Sequence, residues 1–199
     1  MQGDITLSAT AERLVAETVA SYGQIDVLIN NAGIAGVAPS IEDVSEADWE
    51  RMFAVNVKSG YLCTKSALPY LRKSPGNCIL FTSSIAGLEG NMGLTPYAAS
   101  KAAVINMARS LALDHAHEGI RVNVVCPGAT DTAMLRSVPI PIEVFASGLP
   151  LRCVVTPEEI AEGFAYLASP AARSITGQVL IIDGGYSAGD FRIAAGTKN

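Results

Sequence analysis

The spacing of apolar positions switches repeatedly between a helical and an extended period along the chain. Leu14, Val15, Thr18, Val19 and Tyr22 recur at helical spacing within residues 8–22, and Gly23 follows as a stop. The next apolar stretch, IDVLI, is short and continuous, the form a strand takes when both of its faces are buried. Ser45 stands where an N-cap belongs, with acidic residues in the turn after it. Helical character then runs to about Leu71, with a break expected near Asn56. NCILFTSS reads as a second buried strand, residues 96–117 as a long helix, and IRVNVVCPG as a third strand. Thr156, Pro157, Glu158 and Glu159 form a capping box with proline at the first helical position, opening a helix that reaches about Ala168. GQVLIIDGG is the fourth strand.

Strands and helices alternating with connections of this length predict right-handed crossovers and a parallel sheet, hence an α/β fold. No repeat, low-complexity stretch or linker interrupts the pattern, so residues 1–199 read as one domain. Residues 131–155 contain proline and keep no steady period; they read as a loop or lid. The tail AGDFRIAAGTKN carries no element signal.

Composition narrows the picture. The chain has 199 residues, enough for a sizeable core, and 49% of them are apolar against 17% charged, the balance of a compact soluble protein. The net charge of −5 and the lack of a long Lys/Arg cluster argue against nucleic acid as a partner. The longest apolar runs, such as VLIIDGG, are too short to span a bilayer, and the N-terminus has no basic region followed by an apolar stretch. Cys63, Cys78, Cys126 and Cys153 are far apart, and three of them sit in apolar runs; they read as small buried residues of a reducing, cytoplasmic protein. His115 and His117 lie near a predicted helix end with too few partners for a metal, so no metal site is expected.

In an open parallel sheet, ligands bind beyond the carboxyl ends of the strands. Three segments fall there: Asn30-Asn31-Ala32-Gly33, Ser83-Ser84 and Pro127-Gly128. Each alone could be an ordinary turn after a strand; three on one edge favour a site. The fourth segment is Tyr97-Ala98-Ala99-Ser100-Lys101, which on a helix puts Tyr97 and Lys101 on one face. A free phenol, with a pKa near 10, is a poor acid–base group at neutral pH, and a nearby ammonium is expected to lower that value. So tuned, it can give a proton to a carbonyl oxygen or take one from an alcohol. Tyr-x-x-x-Lys alone is a weak pattern; the strand-end serine and the Asn-Asn-Ala-Gly turn before it make it specific.

With these segments in order the chain resembles the short-chain dehydrogenase/reductase family. The matching stretches are DVLINNAG (26–33), the asparagine of FAVNVKSG (53–60), ILFTSSIAG (79–87), PYAASKAAV (96–104), IRVNVVCPGATDT (120–132), TPEEIA (156–161) and ITGQVLIIDGG (175–185), from about Asp4 to Ser187. The resemblance implies a Rossmann-like, doubly wound parallel sheet and hydride transfer between NAD or NADP and an alcohol/ketone pair. It implies Tyr97 as general acid/base and Lys101 as the group that tunes it and holds the nicotinamide ribose. Ser84 would polarise the substrate oxygen, and Asn56 would anchor a water for proton relay. Asn30, Ala32 and Gly33 would line the cofactor cleft. Pro127, Gly128, Thr130 and Thr132 would lie near the nicotinamide, and Asp4 near the adenine. A homo-oligomer, tetramer or dimer, is implied through the helices around 57–71 and Tyr97. The small residues of 98–112 fit that packing or burial on the sheet equally.

The family begins with a strand and a T-G-x-x-x-G-x-G turn that cradles the pyrophosphate, and nothing here matches it. Two strand–helix units, roughly 60 residues at about 30 each, are absent from the pattern. The expectation is therefore an N-terminally truncated Rossmann-type domain whose IDVLI strand presents an open edge. The alternative function is a catalytically impaired member that acts as a binding partner or scaffold. Met134, Leu135, Val138, Ile140, Ile142 and Phe145 in the loop fit either a partly apolar substrate pocket or packing of the lid on the body. Leu88 to Leu94 would form the opposite wall.

Overall fold

The computed structural model describes residues 2–74 and 76–189, so residues 190–199 of the tail lie outside the described residues. In chain order the main elements are α1 (Ser8–Tyr22), β1 (Val27–Asn30), α2 (Glu46–Phe53), a π-helical turn (Ala54–Lys58), α3 (Ser59–Leu71), β2 (Cys78–Thr82), α4 (Thr95–His115), β3 (Arg121–Pro127), α5 (Ala133–Arg136), α6 (Ile142–Ser147), α7 (Pro157–Ala168) and β4 (Val179–Ile182). The four strands form one parallel sheet in the order β1-β2-β3-β4.

Local chemistry accounts for the boundaries. Gly23 ends α1 in the left-handed conformation at φ 83°, its N–H bonded to the Val19 carbonyl. The Ser45 hydroxyl caps α2 by accepting the Asp48 N–H at 3.0 Å. The break expected near Asn56 is an inserted residue rather than an interruption: α2 passes through the π-helical turn directly into α3. At α7 the Thr156 hydroxyl accepts the Glu159 N–H at 3.2 Å, and the Glu159 carboxylate accepts the Thr156 N–H at 2.7 Å. Thr156→Ala is expected to cost about 1 kcal/mol in chemical denaturation, the usual value of such a cap.

Side chains alternate across the sheet. Ile79, Phe81, Val122 and Val124 pack with Val15, Ala67, Leu71, Val104 and Ala108 of α1, α3 and α4. Cys78, Leu80 and Val125 meet Ile160, Phe164 and Leu167 of α7 on the opposite face. Helices therefore cover both faces. Ala108 and Ala112 are buried in the first of these clusters, so at those two positions the small residues let α4 approach the sheet.

Two expectations change. The run IDVLI is not buried on both faces: Val27 and Ile29 are 37% and 46% exposed. β1 is an edge strand paired with β2, and α7 lies across β2, β3 and β4, short of it. In α1 the buried seam is Ala11 and Val15, whereas Leu14 and Tyr22 face solvent. Ala11 joins Leu62 and Cys63 of α3 in a small cluster, and a residue as small as alanine lets the two helices close together.

The segment 131–155 is more ordered than its sequence implies, since it holds α5 and α6. Its ends are tied together: the Asp131 N–H donates to the Val155 carbonyl at 2.9 Å and the Val155 N–H to the Ala129 carbonyl at 3.0 Å. Near its end Arg152 adopts φ 56°, a left-handed conformation that costs a side-chain-bearing residue about 1 kcal/mol. Arg152→Gly should accordingly stabilise the fold by up to about 1 kcal/mol in a thermal melt. A lower melting temperature would mean that contacts of the arginine outweigh the strain. Among the described residues no helix is long and apolar enough to cross a membrane.

Candidate active site

Parallel register brings the carboxyl ends of the strands to one edge. Asn30 stands beside Phe81, Thr82 beside Val125, and Pro127 beside Ile182. The turns after β1, β2 and β3 therefore share that edge. α4 starts there too. Pro96 sits in its first turn, where a missing N–H costs nothing, and Tyr97 follows. One turn on, the Lys101 amine lies 5.7 Å from the centre of the Tyr97 ring, as the four-residue spacing requires.

Lys101 is held on several sides. Its Nζ donates to the Thr82 carbonyl at 3.0 Å, and its own carbonyl accepts the Ser83 hydroxyl at 2.8 Å. A side chain at Gly33 would put a Cβ 3.2 Å from that Nζ. At Gly87, in the short 3-10 turn Ile85–Gly87, a Cβ would fall 2.7 Å from the Lys101 carbonyl carbon. Both glycines are sites of close approach. Only 4% of Lys101 is exposed, and burial pushes its amine down to about 8, because a low-dielectric surround disfavours the charged form.

Tyr97 departs from the sequence expectation. Burial raises its phenol above the ordinary value, and the nearby Ser84 hydroxyl pulls it back. Lys101 does not lower it, because the amine is turned to the Thr82 carbonyl and lies over the ring rather than at the hydroxyl. The phenol keeps its proton at neutral pH. Burial pushes the Cys126 thiol itself up to about 11, so it stays neutral there as well. The Ser84 hydroxyl accepts the Ala86 N–H at 3.2 Å at the start of the 3-10 turn.

Asn56 is buried inside the π-helical turn. Its Oδ1 accepts the Ile34 N–H at 2.8 Å, and its Nδ2 donates to the Ile34 carbonyl at 3.0 Å and to the Ser100 hydroxyl at 2.9 Å. Asn56 thus ties the loop after β1 to α4. The other positions are engaged locally. The Asn30 amide donates to the Thr64 hydroxyl of α3 at 3.3 Å, so its side chain faces that helix; Ala32 is exposed. Pro127 ends β3, and the Gly128 N–H donates to the Ile182 carbonyl at 2.9 Å. A Cβ at Gly128 would meet the Asp183 Cα at 2.8 Å. The Thr130 hydroxyl donates to the Gly128 carbonyl at 3.0 Å, and the Thr132 hydroxyl to the Thr130 carbonyl at 3.3 Å. Asp4, ahead of α1, accepts the Thr6 N–H and hydroxyl at 2.9 and 2.7 Å, which hold its carboxyl below the usual range.

The structure thus gathers Gly33, Asn56, Ser84, Tyr97 and Lys101, while Asp4 keeps to its own turn. Thr82, Ser83, Gly87 and Ser100 join this cluster, though nothing in the sequence marks them out. These act through a carbonyl, a buried hydroxyl or a missing Cβ, none of which carries a chemical signature in sequence. The only available signal was their place in or beside the stretches ILFTSSIAG and PYAASK.

The family model described as enoyl-(acyl carrier protein) reductase matches residues 1–187. The chain is 40% identical over 188 residues to meso-2,3-butanediol dehydrogenase of Serratia marcescens, covering 94% of this chain and 74% of that one. It is 41% identical over 175 residues to a 3-oxoacyl-[acyl-carrier-protein] reductase of Thermotoga maritima, covering 87% and 71%. Aldohexose dehydrogenase of Thermoplasma acidophilum superposes with a TM-score of 0.91 at 32% identity, over 96% of this chain and 79% of that one. ElxO with NADP bound superposes at 0.89 and 32% identity, over 95% and 78%. The sheet with helices on both faces, the strand-end turns and these relatives agree: the chain belongs to the short-chain dehydrogenase/reductase family of oxidoreductases.

Proposed function

We propose that this chain interconverts an alcohol and a ketone with NAD or NADP, using Tyr97 as the general acid and base. The observation that carries the reading is the pair Tyr97 and Lys101 on the first turns of α4, with the Tyr97 hydroxyl beside Ser84 in the turn after β2. A bound nicotinamide supplies the hydride in reduction and accepts it in oxidation. In reduction the Tyr97 hydroxyl would give its proton to the ketone oxygen, leaving a phenolate that solvent water reprotonates; in oxidation the phenolate would take the proton of the alcohol. Ser84 holds the same oxygen and orients its lone pair toward the phenol.

The residues present fit the nicotinamide-ribose end of such a cofactor. An ammonium has three donors, and the Thr82 carbonyl takes one from Lys101. Gly33 bears no side chain to cover the rest, so the amine can hold ribose hydroxyls. Asn56 fixes the loop that carries Gly33. The exposed Leu88, Met92, Met134 and Ile140, in segments after β2 and β3, favour a partly apolar substrate over packing of the lid on the body.

The test is an absorbance assay of reduced nicotinamide with a panel of ketones and secondary alcohols graded from polyols to alkyl and cyclic compounds. Turnover that favours the apolar members is expected. Preference for polyols would remove the substrate reading, and absence of turnover by a folded chain would remove the catalytic one.

A further inference from the structure

We propose, on the footing that Tyr97 carries the proton chemistry and Lys101 holds the cofactor ribose, that Ser100 is a positioning residue that sets both side chains by bridging Asn56 to the first turn of α4. Ser100 is fully buried, and both functions of its hydroxyl are used. It donates to the Tyr97 carbonyl at 2.7 Å and accepts from Asn56 Nδ2 at 2.9 Å. A buried hydroxyl is costly unless paired, and alanine would suit a helix better. What the serine adds here is therefore the link itself.

The link spans three segments. The backbone of Ile34 grips Asn56, Asn56 grips Ser100, and Ser100 grips the carbonyl of Tyr97. Asn56 sits in the one-residue insertion of the π-helical turn, a turn packed directly on α4. Ser100 lies between Tyr97 and Lys101, so a rotation of this turn moves the phenol and the amine together. A small rotation is enough to break the 3.0 Å bond from Lys101 Nζ to the Thr82 carbonyl. Without the bridge, the turn can rotate and carry the amine away from the Thr82 carbonyl toward water.

The test is Ser100→Ala in the full chain, with its fold checked by circular dichroism. The Lys101 amine is titrated by carbon NMR of the side chain, with Lys101→Met assigning the signal. The titratable groups beside this amine are Tyr97 on its own helix and Cys126 on β3. The midpoint should rise from about 8 by about a unit or more, as the amine regains water. With cofactor, kcat should fall about tenfold while the cofactor KM changes far less. A folded variant with an unmoved midpoint and near-normal kcat overturns the proposal. Should Ser100→Ala not fold, Ser100→Cys decides: it keeps a weak donor and acceptor and should shift the midpoint the same way by less, and an unmoved midpoint again overturns the bridge. Tyr97→Phe assayed in parallel separates the two readings. Normal turnover in that variant faults the role of Tyr97, while the Lys101 midpoint still judges Ser100.

Discussion

Replacing Tyr97 with phenylalanine should lower kcat by about 10²–10⁴ and leave cofactor affinity nearly unchanged, the loss typical of a positioned acid–base group. The substitution keeps the ring and removes only the hydroxyl. Because burial holds the phenol above its ordinary value, the group is neutral at pH 7 and suited to act as the acid in ketone reduction. Alcohol oxidation needs the phenolate, so its rate should climb with pH while reduction does not. Parallel measurement of kcat in both directions, with binding of reduced cofactor by fluorescence, checks both points. Turnover within a few-fold of the parent would take Tyr97 out of the chemistry, and an equal loss of binding would make it a binding group instead.

Lys101→Met should do two opposite things: turnover falls steeply and the fold becomes more stable. The amine titrates near 8 in the folded chain against a reference of 10.5, so folding disfavours its charged form. The sign follows from linkage. Between those values the unfolded chain binds more protons, so stability rises with pH across the window; below about 8 the full penalty applies, and above about 10.5 it is gone. A shift of this size corresponds to about 3 kcal/mol at neutral pH. Methionine, of similar length and uncharged, removes the penalty. Urea unfolding of both chains near pH 7 and near pH 10 should show the variant ahead at the lower pH and the gap closing at the higher. A variant less stable at both would mean that the ammonium's bond to the Thr82 carbonyl outweighs its desolvation. A gain in stability coupled to loss of turnover is the trade expected of a charge held in place for function.

Much of this was legible in the residues. Gly23, Ser45 and the Thr156–Glu159 box announce their helix ends through local chemistry, and β2 and β3 are buried on both faces as their apolar runs imply. β1 is the open edge expected of IDVLI, but its faces are not both buried, because a continuous apolar run reports the hydrophobicity of a strand and not which neighbours cover it; Val27 and Ile29 remain exposed. The four-residue spacing placed Tyr97 and Lys101 together, but spacing fixes a face and not the direction of an amine. Only the fold supplies the Thr82 carbonyl that draws Lys101 away from the phenol hydroxyl. The bridge through Ser100 was hidden for a related reason. A π-helical insertion shifts which residue of a helix faces its neighbour, and periodicity registers it only as a break.

The measurement that bears most directly on the central claim is a fluorescence titration of the folded chain with NADH and with NADPH, with circular dichroism on the same sample. Saturable binding of at least one of them, weakened in Lys101→Met, is the expected result. A chain that is folded by circular dichroism and binds neither would contradict the account of Lys101, Gly33 and Asn56 as the nicotinamide end of a working redox site.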